Sequence, residues 1–194
     1  MIRPVLSFIL LSLTLFIYNC SPVGILASSG ASTMVVAEGD IRSIGTVVDD
    51  ATIKLSLSAK FLKAENGLFV NINSNVIDGR VLLTGIVDTQ EIRINVVRMV
   101  WEIKGVAEVV NEIEVGENTT IKEYINDLWI NTQAKSLAAK TLGLRSLSYN
   151  FETIKGKVYI AGITNKPEQL EKYIEVLKDL KGVREIVNYV IISE

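Results

Sequence analysis

The 194-residue chain has no histidine, a single cysteine, three prolines and only 7% aromatic residues. Without histidine it lacks the commonest general base and the commonest metal ligand, and no Ser-His pair can activate any of its serines. A lone cysteine, Cys20, excludes an intramolecular disulfide and a cysteine-based zinc site. An excess of charge of one sign is missing too: 20 basic and 22 acidic residues leave a net charge of −2, which is not the basic balance of a nucleic-acid binder. No glycine run spells G-x-G-x-x-G or a Walker loop. Glu168, Glu171, Glu175 and Asp179 fall on the outer side of one helix, with no second group spaced to complete an acid/base pair. These absences leave no catalytic constellation, and neither an enzyme nor a cofactor is expected.

What the chain does have is a long internal repeat. Lys104-Gly105-Val106-Ala107-Glu108-Val109-Val110-Asn111 returns as Lys181-Gly182-Val183-Arg184-Glu185-Ile186-Val187-Asn188, 77 residues later. The same offset carries Asp50 onto Asp127, Ile53 onto Ile130, Asn73 onto Asn150 and Gly79 onto Gly156. A period this long is a copied domain rather than a solenoid unit. Each copy is small, so its single core is only modestly stable, and packing of the copies on each other would help.

Ahead of the copies, Arg3 precedes an apolar run over residues 5–17, the pattern of a secretory signal and too short for a bilayer span. Cys20 follows directly, in Ile17-Tyr18-Asn19-Cys20-Ser21. This resembles a bacterial lipoprotein signal, which implies that residues 1–19 are removed and Cys20 is lipidated. Tyr18 and Asn19 are larger than the small residues usual before such a cysteine. Ser21 is not the aspartate that retains lipoproteins at the inner membrane, so the resemblance implies the periplasmic face of the outer membrane. An ordinary signal cut near Ala27-Ser28-Ser29 would instead leave a soluble periplasmic protein. Residues 20–48 read as a flexible tether.

Within the first copy, Ile53, Leu57 and Phe61 recur at helical spacing, and Phe69-Val70-Asn71-Ile72-Asn73 alternates as a strand does. Asp78-Gly79 marks a hairpin turn, with Arg80-Val81-Leu82-Leu83-Thr84-Gly85 as the returning strand. A second helix is expected from about Thr89 to Lys104, closed by Gly105, and a last strand over residues 106–115. Gly85 and Gly162 read as strand ends. The second copy repeats the order, with Pro167 opening its second helix. The fold class is therefore α+β: two tandem domains, 49–116 and 117–194, each α-β-β-α-β with two helices on a three-stranded sheet.

The run from Asn73 to Gly85, followed by a helix and Lys104-Gly105-Val106, resembles the BON domain, as does the second copy through Ile154-Lys155-Gly156-Lys157-Val158 and Lys181-Gly182-Val183. Two such domains behind a lipoprotein signal resemble the dual-BON outer-membrane lipoproteins, and Asn126-Asp127-Leu128-Trp129-Ile130 strengthens the likeness. The resemblance implies that the first helix of the second domain contacts anionic phospholipid, that envelope or division proteins are partners, and that the protein supports outer-membrane integrity. Gln133 stands where that family usually has lysine.

The residues carry an independent hint. Ile130, Ala134, Leu137 and Ala138 share the inward face of that helix, while Ile121, Tyr124, Ile125, Leu128, Trp129 and Ala139 cluster on the opposite side. Copy one has Ile44, Val47, Val48, Ala51, Thr52 and Leu62 at the same offsets, without an aromatic. Three readings compete for this ridge: it packs against copy one, it self-associates, or it enters a lipid headgroup region. Charge favours lipid, since residues 127–194 hold 10 basic and 8 acidic groups against 7 and 9 in residues 50–116. Lys135 and Lys140 are placed to meet phosphates. The expected lipid-binding set is Ile125, Leu128, Trp129, Lys135 and Ala139. The alternative function is a periplasmic protein-interaction scaffold with the same helix buried at an interface.

Overall fold

The structure is a computed structural model that describes residues 43–64 and 71–193. Cys20, the signal and most of the segment read as a tether lie outside the described residues. The first domain runs α1 (Ile44–Lys63), β1 (Ile72–Ile77), β2 (Arg80–Val87), α2 (Gln90–Trp101) and β3 (Glu108–Val115). The second runs α3 (Ile121–Leu142), a 3-10 segment (Gly143–Ser148), β4 (Tyr149–Ile154), β5 (Lys157–Thr164), α4 (Pro167–Lys178) and β6 (Glu185–Ile192). The first turn of α1 thus begins at Ile44, inside the span read as tether.

Each sheet has its second strand in the centre, antiparallel to the first and parallel to the third, in the orders β1-β2-β3 and β4-β5-β6. The parallel pair requires a crossover, which α2 and α4 supply. The hairpin at Asp78-Gly79 has positive φ at both residues, 54° and 72°, the requirement of a tight two-residue turn. Lys155 (φ 48°) and Gly156 (φ 80°) repeat it.

Three local expectations shift. The helix expected to reach Lys104 ends at Trp101, and a turn carries the chain to Gly105. Of the expected first strand, Phe69 and Val70 lie outside the described residues, and the strand runs on past Asn73 to Ile77, because pairing with β2 draws Ser74 and Asn75 into the ladder. Gly85 and Gly162 lie within strands rather than at their ends. A Cβ at Gly85 would sit 2.1 Å from the Asn71 carbonyl oxygen, so glycine there permits the close approach of β1.

A feature absent from the sequence reading is how the copies meet. Along β2, Val81, Leu83 and Val87 face the helices with Ile53, Leu57, Val96 and Val100. Leu82 and Ile86 point the other way, onto residues of the second sheet. The two sheets therefore pack face to face, with one pair of helices outside each. Both central strands are covered on both faces, which accounts for their almost unbroken apolar runs. The contact is nearly two-fold symmetric: Ile77 and Ile163 share one cluster, and their repeat equivalents Ile154 and Ile86 share the other. Tyr189 donates to Glu112 Oε1 at 2.5 Å, and these two residues are themselves equivalent, 77 positions apart. Lys157 Nζ stands 3.5 Å from Glu112 Oε2 beside them.

Candidate functional site

With the sheets meeting in the middle, the helices are outermost and their outward faces lie at the surface. The 22-residue α3 starts from a capping box: the Thr120 hydroxyl accepts from the Glu123 N–H, and the Glu123 carboxylate accepts from the Thr120 N–H at 2.8 Å. The second acid of the helix, Asp127, is buried and accepts the turn amides of Lys155 at 2.6 Å and Gly156 at 2.8 Å. Hydrogen bonds from Thr120 hold the Glu123 carboxyl below the usual carboxylate range. Both acids of α3 are thereby committed to the fold. The charges its outward face presents are Lys122, Lys135 and Lys140, all exposed, with Arg145 in the 3-10 segment beyond.

Ile130, Ala134, Ala138 and Leu142 are buried and hold α3 against its sheet. On the far side, Ile121, Tyr124, Ile125, Leu128 and Trp129 are all exposed, Leu128 by 54% and Trp129 by 44%. The ridge does not pack against copy one, whose sheet is occupied by the other sheet; that reading is overturned. Of the expected lipid-binding residues, Ile125, Leu128 and Trp129 come together in the N-terminal half of α3. Lys135 and Ala139 are exposed further along, Ala139 roughly 15 Å beyond Trp129 at 1.5 Å per residue. Thr132 and Ser136 fill the outward face between them. The 3-10 segment adds the exposed Leu144 and Leu147, and their i, i+3 spacing stacks them on one side.

The first domain presents a different surface. Val48, Leu55 and Leu62 are exposed at seven-residue spacing on α1, and Ile94 and Trp101 on α2. These stand apart, whereas the five on α3 are contiguous.

Beside the ridge lies a cleft of about 330 Å³, lined by Tyr124 and Leu128 of α3, Glu152 and Thr153 of β4, and Asn71 and Asn73 at the edge of the first sheet. Asn73 Nδ2 donates to Glu152 Oε1 at 3.0 Å. Burial pushes the Glu152 carboxyl up; Lys135 opposes this, and Asp127 adds to it. Sequence reasoning missed this cleft and the two buried carboxylates, Asp50 and Asp127. Asp50 accepts from the Asp78 and Gly79 amides as Asp127 does in its own domain. The signal was available: an acid on the buried stripe of a helix, present in both copies. Among the described residues no group of three potential ligands could hold a metal ion, and no helix is long and apolar enough to cross a membrane.

The sequence pattern of the BON domain matches residues 49–117 and 126–194, most of the chain. The protein belongs to the BON domain family. It is 36% identical over 144 residues to the "Uncharacterized protein in gshII 5'region" of Anaplasma centrale, covering 74% of this chain and 94% of that one. It is 26% identical over 184 residues to the outer membrane lipoprotein DolP of Haemophilus influenzae, covering 92% of this chain and 91% of DolP. The 21 kDa hemolysin of Actinobacillus pleuropneumoniae is 29% identical over 155 residues, 78% of this chain and 79% of its own. The chain is thus a dual-BON, DolP-like envelope protein with the α+β architecture expected of it.

Proposed function

We propose that this protein is a non-enzymatic, lipid-anchored component of the outer membrane that binds anionic phospholipid through the outward face of α3 and supports membrane integrity. One observation carries the reading: five contiguous apolar side chains stand exposed on a helix whose only outward charges are cations. Such a face buries its apolar ridge at the acyl boundary while lysines meet phosphates, each worth about 1 kcal/mol near an anionic surface. Acylation at Cys20 would hold the protein at the bilayer, and the α3 contact then acts at high effective concentration. The helix in this arrangement selects a lipid environment rather than providing the anchor.

The test is flotation of residues 21–194, which contain the whole described fold, with vesicles of phosphatidylcholine alone or mixed with phosphatidylglycerol. Binding confined to the anionic vesicles, with a blue shift of Trp129 fluorescence, is the expected result. No binding to either vesicle, with Trp129 responding instead to an envelope protein, would replace this reading by the scaffold one. Mass spectrometry of the mature N-terminus tests the anchor: an acylated Cys20 is expected, and a free N-terminus near Ala27 would remove it.

A further inference from the structure

The cleft beside the ridge has a chemistry that a general attraction to anionic lipid does not use. Its lining residues offer two carboxylates, three asparagine amides and two threonine hydroxyls, with no lysine or arginine among them. Asp127 is engaged by two backbone amides, while Glu152 receives one amide donor from Asn73. Thr153, 7% exposed, lines the same cleft with its hydroxyl unpartnered. Asn131 Oδ1 is also buried without a partner. By helical spacing Tyr124, Leu128, Asn131 and Lys135 follow one edge of α3, so Asn131 and Lys135 continue the line of the cleft wall. Buried polar atoms without partners are rare in folded proteins and call for an explanation.

A half-buried carboxylate with a single amide donor and no cation among the lining residues is suited to a donor that carries positive charge, and its hydrogen bonds are stronger for it. Lys135 acts on the Glu152 carboxyl from nearby, so a negative and a positive group are offered together. A zwitterionic headgroup with a primary ammonium two carbons from its phosphate matches that order of charges. Tyr124 and Leu128 belong to both cleft and ridge, so acyl chains on the ridge bring a headgroup to the cleft mouth.

We propose that the cleft between α3 and β4 is a headgroup subsite for phosphoethanolamine lipids, with the ammonium donating to Glu152 and the phosphate directed to Lys135. This rests on the lipid-binding role of α3 and names a preference within it. A choline headgroup, with no N–H to donate, is disfavoured at the same net charge.

The experiment compares vesicles of one fixed phosphatidylglycerol fraction whose remainder is phosphatidylethanolamine or phosphatidylcholine, using residues 21–194 and their Glu152→Gln variant. About tenfold tighter binding to the ethanolamine vesicles is expected, the worth of one charge-assisted contact. Glu152→Gln keeps an acceptor for Asn73, so it should fold normally, retain binding to both vesicles and lose the preference. In NMR titrations with soluble O-phosphoethanolamine, the amides of Glu152 and Thr153 should shift, and O-phosphocholine should leave them in place. Equal binding to the two vesicles, or a preference that survives in Glu152→Gln, would overturn the subsite while leaving the α3 reading intact. Shifts from the soluble headgroup without a vesicle preference would overturn its assignment to lipid. Failure to bind any anionic vesicle would remove the α3 reading itself.

Discussion

Replacing Trp129 with glutamate is the most direct perturbation of the α3 face. Trp129 is 44% exposed, and a tryptophan buries up to ~250 Å², so roughly 110 Å² of its surface is open to a bilayer. At about 25 cal/mol per Å² that surface is worth close to 3 kcal/mol on insertion. A carboxylate held against anionic headgroups costs about 1 kcal/mol more, by the same rule that makes a lysine favourable there. The sum of about 4 kcal/mol corresponds to roughly a thousandfold loss of vesicle affinity. Folding should hardly respond, because the side chain lies outside the core cluster of its domain, and exposed substitutions of this kind stay within about 0.5 kcal/mol. The assay pairs flotation on anionic vesicles with thermal unfolding followed by circular dichroism. Affinity that stays within a factor of three, with an unchanged melting curve, would show that the ridge takes no part in lipid binding. Loss of affinity accompanied by early unfolding would show that Trp129 supports the fold instead.

Asp127→Ala removes the acceptor of the Lys155 and Gly156 amides and leaves two donors without partners, at about 1–3 kcal/mol each. Urea unfolding should register a loss of about 2–6 kcal/mol, and a loss below about 1 kcal/mol would discount the structural role of this carboxylate. Tyr189 is pushed up from 10.0 to about 12 by burial and by the Glu112 carboxylate it donates to. A phenol raised in this way contributes stability that is whole below pH 10 and is lost as pH rises through about 12. The urea midpoint should therefore fall more steeply between pH 10 and 12 in the natural protein than in Tyr189→Phe, and equal slopes would refute the coupling of this pair to domain packing.

The repeat, the element order and the two turns were legible in the residues because each rests on local chemistry. Asp78-Gly79 and Lys155-Gly156 need a left-handed backbone, and Ile53 and Leu57 are buried as their helical spacing requires. The sheet-to-sheet contact was not legible. An unbroken apolar run such as residues 81–87 shows that a strand is buried on both sides, but not what covers the second side. Ile77, Leu82 and Ile86 could be read only as core. The continuation of β1 through Ser74 and Asn75 escaped notice for the opposite reason, since its ladder hydrogen bonds override a polar sequence that favours turns. The ridge on α3 was visible because an amphipathic helix should be polar on its outer side, and this one is not. Its exposure, however, depends on the packing of the two sheets, which no periodicity encodes.

That packing also sets what each face of the two copies has to keep. Each sheet is covered by the other on one face and by its own helices on the second, so the inward positions stay buried in both domains even where the residues change: Ile53 matches Ile130, while Leu57 is replaced by Ala134 and Val96 by Tyr173, all of them buried. The outward faces of α1 and α3 support no other element, and there the fold does not require an apolar residue. Val47, Ala51 and Thr52 stand opposite Tyr124, Leu128 and Trp129 at the 77-residue offset. A substitution at these positions costs the fold little, because it neither opens a cavity nor strands a polar group. An exposed tryptophan nonetheless adds to the apolar patches that drive association. A surface free to be polar that instead gathers five contiguous apolar residues, while both of its acids are held in the cap and the turn, is the surface on which a ligand is to be sought. The equivalent helix of the first domain serves as the built-in comparison.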